Sequence, residues 1–258
     1  MKQIHVLETN ILHASDVIYW LDGSSGQTTT DMQRLTRPVF LQLSTRPADL
    51  QYLHRPGKTA LWRRPASGML QGAPSEADKT RSDTPTFPLI GNAIDPEGRY
   101  IPRAFSIAAG NAAGHALVMY PTPLGTRFGK GGGLLGTLRF TDGSITPWAL
   151  LTLVVSIPGG GTQTFRGQAD HRGDFMLPMH RLPPLPEGID QYAAQLSVAA
   201  LLTADPALPL DTADLVAMDL EDLQSSNSFS NPIGLQVVPG EIRPIRSAGK
   251  DHLTVQPS

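Results

Sequence analysis

A chain of 258 residues with 21 basic and 23 acidic side chains carries a formal charge of −2, too small for the field that draws a protein to nucleic acid or acidic lipid. It has no cysteine, which excludes disulfides, iron–sulfur clusters, thiolate zinc sites and cysteine nucleophiles. Charged residues make up only 17%, against 25 glycines and 23 prolines; such dense turn punctuation predicts an all-β protein of two or more sandwich-like modules with minor short helices.

In chain order, the first apolar segment is 17–21, closed by the turn dipeptide Asp22-Gly23. A polar stretch at 24–31 leads to a predicted strand at 39–43, and residues 47–53 read as a short helical turn with Asp49 in its first turn. Residues 58–63 are a further strand, and about 68–88 an exposed loop. Strands follow at 89–94, 105–109 and 115–120, then at 134–140 and 149–156. Pro158-Gly-Gly-Gly161 predicts a hairpin into 164–169, and 175–178 comes next. Residues 192–199 alternate as a half-buried strand does. Beyond Leu202 a helix is expected over 210–223, although Val216, Met218 and Leu220 also fit period two. A hairpin at 235–246 and a tail over the last dozen residues complete the reading.

One spacing occurs twice. Gly91, Gly98 and Pro102 before Phe105 match Gly136, Gly143 and Pro147 before Leu150, each pair of glycines enclosing a turn. The first copy has too few strands to close a sandwich and is expected to lean on 39–43 or 58–63. Three units are therefore predicted: an N-terminal β module at 1–128, a β-sandwich at 129–203, and a C-terminal extension at 204–258.

Gly136, Asp142-Gly143, Pro147 and Ala149, followed by Ala169-Asp170-His-Arg-Gly173-Asp-Phe175, resemble the carboxypeptidase-regulatory-like, or transthyretin-like, β-sandwich family over about 132–202. Trp148 stands where that pattern usually has Gly, and Arg172 where a second Asp is common. The resemblance implies a fold and is almost silent on function. In overall style the chain is also similar to structural components of phage tails and contractile injection systems.

No constellation that carries catalysis stands out. His5, His13, His54, His115, His171, His180 and His252 show no metal-ligand spacing. Asp170 and Asp174 suit a turn. The run from Gly125 to Gly133 lacks the spacing of a phosphate loop and reads as a flexible hinge. No Gly-x-Ser-x-Gly elbow occurs. Trp20, Trp62 and Trp148 are expected in the core. Trp148 is the one candidate for outward display, since it follows a turn proline at a strand start.

The expected function is thus non-enzymatic, with no catalytic, cofactor or metal residues: a structural or adaptor subunit contacting other protein subunits. The alternative is a carbohydrate- or surface-binding sandwich with Trp148 as its stacking platform. No nucleic-acid partner and no membrane span are expected, because no run of about 18 apolar residues occurs. Without an apolar leader segment after Met1, synthesis in the cytoplasm is expected, with incorporation into an extracellular or phage-like particle open to it.

Overall fold

Alternating burial along Asp16–Asp22 (β1) turns Ile18 and Trp20 inward, where both are fully buried. The computed structural model describes residues 16–63 and 86–258, so most of the loop expected at 68–88 lies outside the described residues. β3 (Leu50–Arg55), β4 (Lys58–Arg63), β1 and β7 (Gly114–Met119) form a sheet in that order, with β1 and β7 parallel. β2 (Phe40–Thr45), β5 (Phe87–Ile94) and β6 (Arg103–Ala109) form a second. Trp20, Leu61, Leu89 and Phe105 belong to one core cluster drawn from both sheets. Trp20 meets Phe105 edge-on at 6.3 Å, and its indole N–H donates to the Thr59 hydroxyl at 3.0 Å.

The first repeat copy does lean on the strand at 39–43, for β2 pairs antiparallel with β5. Gly91 permits that approach, since a Cβ there would lie 2.3 Å from the Gln42 carbonyl oxygen. Residues 47–53 differ from expectation: they turn into β3, which pairs with β4 around Gly57. Asp49 caps no helix and instead receives the Arg63 guanidinium Nε at 2.8 and 3.0 Å.

The remainder builds one large curled sheet. Its main path runs β10 (Gly161–Gln168), β9 (Leu150–Ile157), β12 (Tyr192–Ala200), β13 (Val216–Glu221), β17 (Leu253–Pro257), β8 (Gly133–Phe140) and β11 (Asp174–Pro178). The short strands β14 (Phe229–Ser230), β15 (Ile233–Val237) and β16 (Ile242–Pro244) attach to β13, β12 and β8. The two ends of the path approach each other at Gly167, where a Cβ would meet the Met176 carbonyl oxygen at 2.9 Å. The concave side holds the larger core, from Leu134 and Leu138 through Leu151, Phe165 and Leu196 to Val255.

Residues 204–258 are not an extension. They supply β13 to β17 of this sheet. The helix expected over 210–223 gives way to the period-two alternative: a single 3-10 turn at Thr212–Asp214 leads into β13, which buries Met218 and Leu220. The expected hairpin at 235–246 does not form, because β15 pairs with β12 and β16 runs parallel to β8. The expected tail is β17, whose Leu253 and Val255 are fully buried between β13 and β8. The physical reason is common to all three. Strands 133–200 alone leave β8 and β12 with unpaired edges and uncovered apolar faces, and the C-terminal strands satisfy both.

The repeat produces two different topologies. In the first copy β5 and β6 pair antiparallel, Gly91 opposite Phe105, around a turn in which the Gly98 N–H donates to the Asp95 carbonyl at 3.0 Å. In the second, the Gly143 N–H donates to the Phe140 carbonyl at 2.9 Å, but β8 and β9 then separate. Arg103 and Trp148 occupy the same place in the two copies. Arg103 opens a strand, whereas Trp148 has φ 62°, a left-handed backbone that redirects the chain away from β8.

The glycine run expected as a flexible hinge is tightly packed. A Cβ at Gly131 would sit 1.8 Å from the Met179 carbonyl oxygen, and one at Gly132 would sit 2.0 Å from that of Glu241. Small residues are present there to let backbones touch, not to let them swing.

A candidate docking surface built on the β12–β13 loop

The loop from Leu201 to Leu215 joins β12 to β13, with Leu202 near its start, Leu208 at its middle and Val216 just beyond its end on β13. Leu202, Leu208 and Val216 are 57%, 62% and 53% exposed. An isolated exposed apolar side chain is ordinary, but two leucines and a valine exposed within 15 positions are not. Ala200 and Val216 face each other across the β12–β13 pair, so Leu202 and Val216 leave the sheet at the same corner.

This loop is held from both modules. The Trp148 indole N–H donates to the Asp205 carbonyl at 3.0 Å, and Asp205 in turn bonds the Ala207 N–H through its carboxylate at 2.8 Å. At the other end the Arg103 guanidinium donates to Asp211 at 2.8 Å, and the Ala104 N–H donates to the Leu210 carbonyl at 3.3 Å. Both members of that ion pair are mostly buried, so it is less screened than a surface pair. The two equivalent residues of the repeat therefore grip opposite ends of one loop. A second bridge lies beside β10. The Arg166 guanidinium donates to the Gln27 carbonyl at 2.7 Å, and Gln27 accepts from the Thr164 N–H at 3.3 Å. Hydrogen bonds from Gln27 and Thr28 hold the Asp31 carboxyl well below the usual range, fixing that segment's shape.

Trp148, the candidate for outward display, is 5% exposed. Its ring packs 6.1 Å from His171, and its carbonyl accepts from the Gln168 side-chain amide at 3.0 Å. It acts here as an anchor of the loop and offers no free ring face. Trp148→Ala is expected to cost about 3–5 kcal/mol, the usual loss for a buried aromatic. Trp148→Gly should recover about 1–2 kcal/mol of that, because glycine accepts a left-handed backbone without penalty. Urea unfolding of the two variants checks the order, which is the reverse of the usual alanine–glycine ranking.

A further apolar strip lies at the edges of the N-terminal sheets. Phe40 on the edge strand β2 is 48% exposed and stands 5.2 Å from the His54 ring on the edge strand β3, where Leu53 is also exposed. Burial pushes His54 down from its ordinary value, favouring a neutral ring beside Phe40 and Tyr52.

Of the other residues weighed in the sequence, Trp20 is buried and Trp62 is partly buried on β4. Asp170 accepts from the N–H groups of Arg172 and Asp174, as a turn residue does. His5 and His13 lie outside the described residues. Among the described residues no three His, Cys, Asp or Glu side chains come together as a metal site would need, and no helix is long and apolar enough to cross a membrane. Sequence reasoning missed Arg103 and the leucines. The signals were present: Arg103 sits at the repeat position of Trp148, and Leu201-Leu202 and Leu208-Pro209-Leu210 are apolar runs inside a turn-rich segment. Comparison with family models, curated proteins and solved structures finds no match to this chain.

Proposed function

We propose that the chain is a non-enzymatic structural or adaptor subunit that docks onto a protein partner through the leucine loop at 201–216. The observation that carries this reading is a loop with exposed leucines that is nonetheless fixed, at one end by Trp148 and at the other by Arg103. A fixed apolar surface loses little conformational entropy on binding, which is what distinguishes a docking element from a loose loop. The open β2 and β3 edges with Phe40 and Leu53 supply a second contact region of the strand-addition kind. The assembly we propose is a phage-tail-like or contractile injection particle, on the chain's likeness in style to components of such particles. Sheath, tube or baseplate genes found beside this one would support that choice, and glycosidase genes would reverse it.

The test is the size of the chain in extracts of its source cells. Wild-type chain is expected to elute in a complex of fixed stoichiometry. Leu202→Asp and Leu208→Asp should each weaken that complex by more than about tenfold, since burying one leucine contributes about 1.5–3 kcal/mol, while leaving the unfolding midpoint unchanged. A wild-type chain that elutes as a monomer, or variants that stay in the complex, would contradict the proposal.

A further inference from the structure

A second surface, separate from the leucine loop, is a groove of about 690 Å³ on the convex face of the large sheet. Its position follows from the strand register. On β12 and β15 the inward residues Tyr192, Leu196, Ile233 and Val237 fill the core, so Ala193, Gln195, Gly234 and Gln236 face out. Ala193 is paired with Gln236 and Gln195 with Gly234, so each row sets one amide beside a position with little or no side chain. Ser156 extends the surface on β9, one residue beyond the Val155–Ala194 pair.

The polar groups of this groove are available. The side-chain amides of Gln191, Gln195, Gln224 and Gln236 line it, and among the described residues none of the four has a hydrogen-bond partner. The Gly234 position is open, with nothing within 4 Å of where a Cβ would stand. The two charges at the rim, Asp222 and Arg243, are of opposite sign and already engaged. Asp222 accepts from the Gln224 and Ser225 N–H groups, and Arg243 donates to the Gln236 carbonyl.

We infer that this groove binds a neutral, hydroxyl-rich ligand, an oligosaccharide chain lying across β9, β12 and β15. Each primary amide offers two donors and an acceptor, the complement of adjacent hydroxyls that both give and receive. Balanced, engaged rim charges give no preference for an anion or a cation. The flat floor at Ala193 and Gly234 lets a ring approach the sheet, and the volume falls within the range of ligand sites. Four side-chain amides line this one groove, and among the described residues none of them has a hydrogen-bond partner.

The test is an array of neutral gluco-, xylo-, manno- and galacto-oligosaccharides, with sialylated and sulfated glycans beside them, probed with the full chain. Binding to a neutral glycan is expected, weakened by at least about tenfold in Gln195→Ala and in Gly234→Leu, whose added side chain fills the floor. Titration of the best neutral binder into wild-type chain should also shift the side-chain NH2 resonances of glutamine, a readout independent of any variant's folding. Overturning results are the absence of any neutral binder, binding only to charged glycans, or neutral binding that both variants leave unchanged.

Discussion

Glu221→Gln is expected to flatten the acid limb of the stability curve. Glu221 has no exposed side-chain surface, and Lys250 Nζ donates to its Oε2 at 2.6 Å while the Asn227 N–H donates to Oε1 at 2.9 Å. Burial pushes its carboxyl up, but the bonds from Lys250, Asn227, Thr254 and Ser247 outweigh that and bring it from 4.5 to about 2. The folded value is therefore the depressed one. Its stabilisation is complete above the unfolded value of 4.5 and is lost as pH falls towards about 2. That difference corresponds to about 3 kcal/mol. Wild-type chain should lose that much between these limits, and Glu221→Gln should lack this dependence while being less stable at neutral pH. Lys250→Met should cost about 3 kcal/mol at neutral pH, the low end for a broken buried pair, because Lys250 is 34% exposed. Equilibrium denaturation at stepped pH measures both. The knot matters to architecture because it ties the turn after β16 to β13 and to β17, the strands that close the large sheet.

Gly132→Ala should be strongly destabilising, because a strained backbone and a clash fall on one residue. Its backbone is left-handed at φ 72°, and the new Cβ would stand 2.0 Å from the Glu241 carbonyl oxygen. That same oxygen accepts the Gly133 N–H at 2.9 Å, so the clash falls on the start of the β8–β16 pairing. The left-handed term costs about 1–2 kcal/mol and forced overpacking about 1–3 kcal/mol more. Gly143→Ala separates the two contributions. Its φ is 84°, yet nothing lies within 4 Å of the added carbon, so only the backbone cost should appear. Urea midpoints of the pair should therefore differ by the packing cost alone, whereas a swinging hinge at 125–133 would show no such excess at Gly132.

The all-β class was legible from turn punctuation and alternation, and most strands before Ala200 lie where the apolar runs place them. The C-terminal third was not legible, for a physical reason. β17 and β16 are parallel partners of β8, more than 100 positions earlier, and no local signal marks a strand whose stabilisation is entirely long-range. Val216, Met218 and Leu220 carried the period-two pattern, and only the partner strands decide it against the helix. Trp148 misled in another way. A proline before it signals a turn, but the left-handed backbone that buries its ring depends on Asp170 and Asp205, both distant in sequence. The groove amides were invisible because Gln195 and Gln236 become neighbours only through the β12–β15 register.

The proposed docking role of the leucine loop is tested most directly by amide hydrogen exchange on the free chain and on the chain within its native complex. Residues 201–216 should gain protection in the complex while the buried strands β9 and β12, already slow, stay unchanged. Protection that appears elsewhere and leaves 201–216 as fast as in the free chain would contradict the docking role.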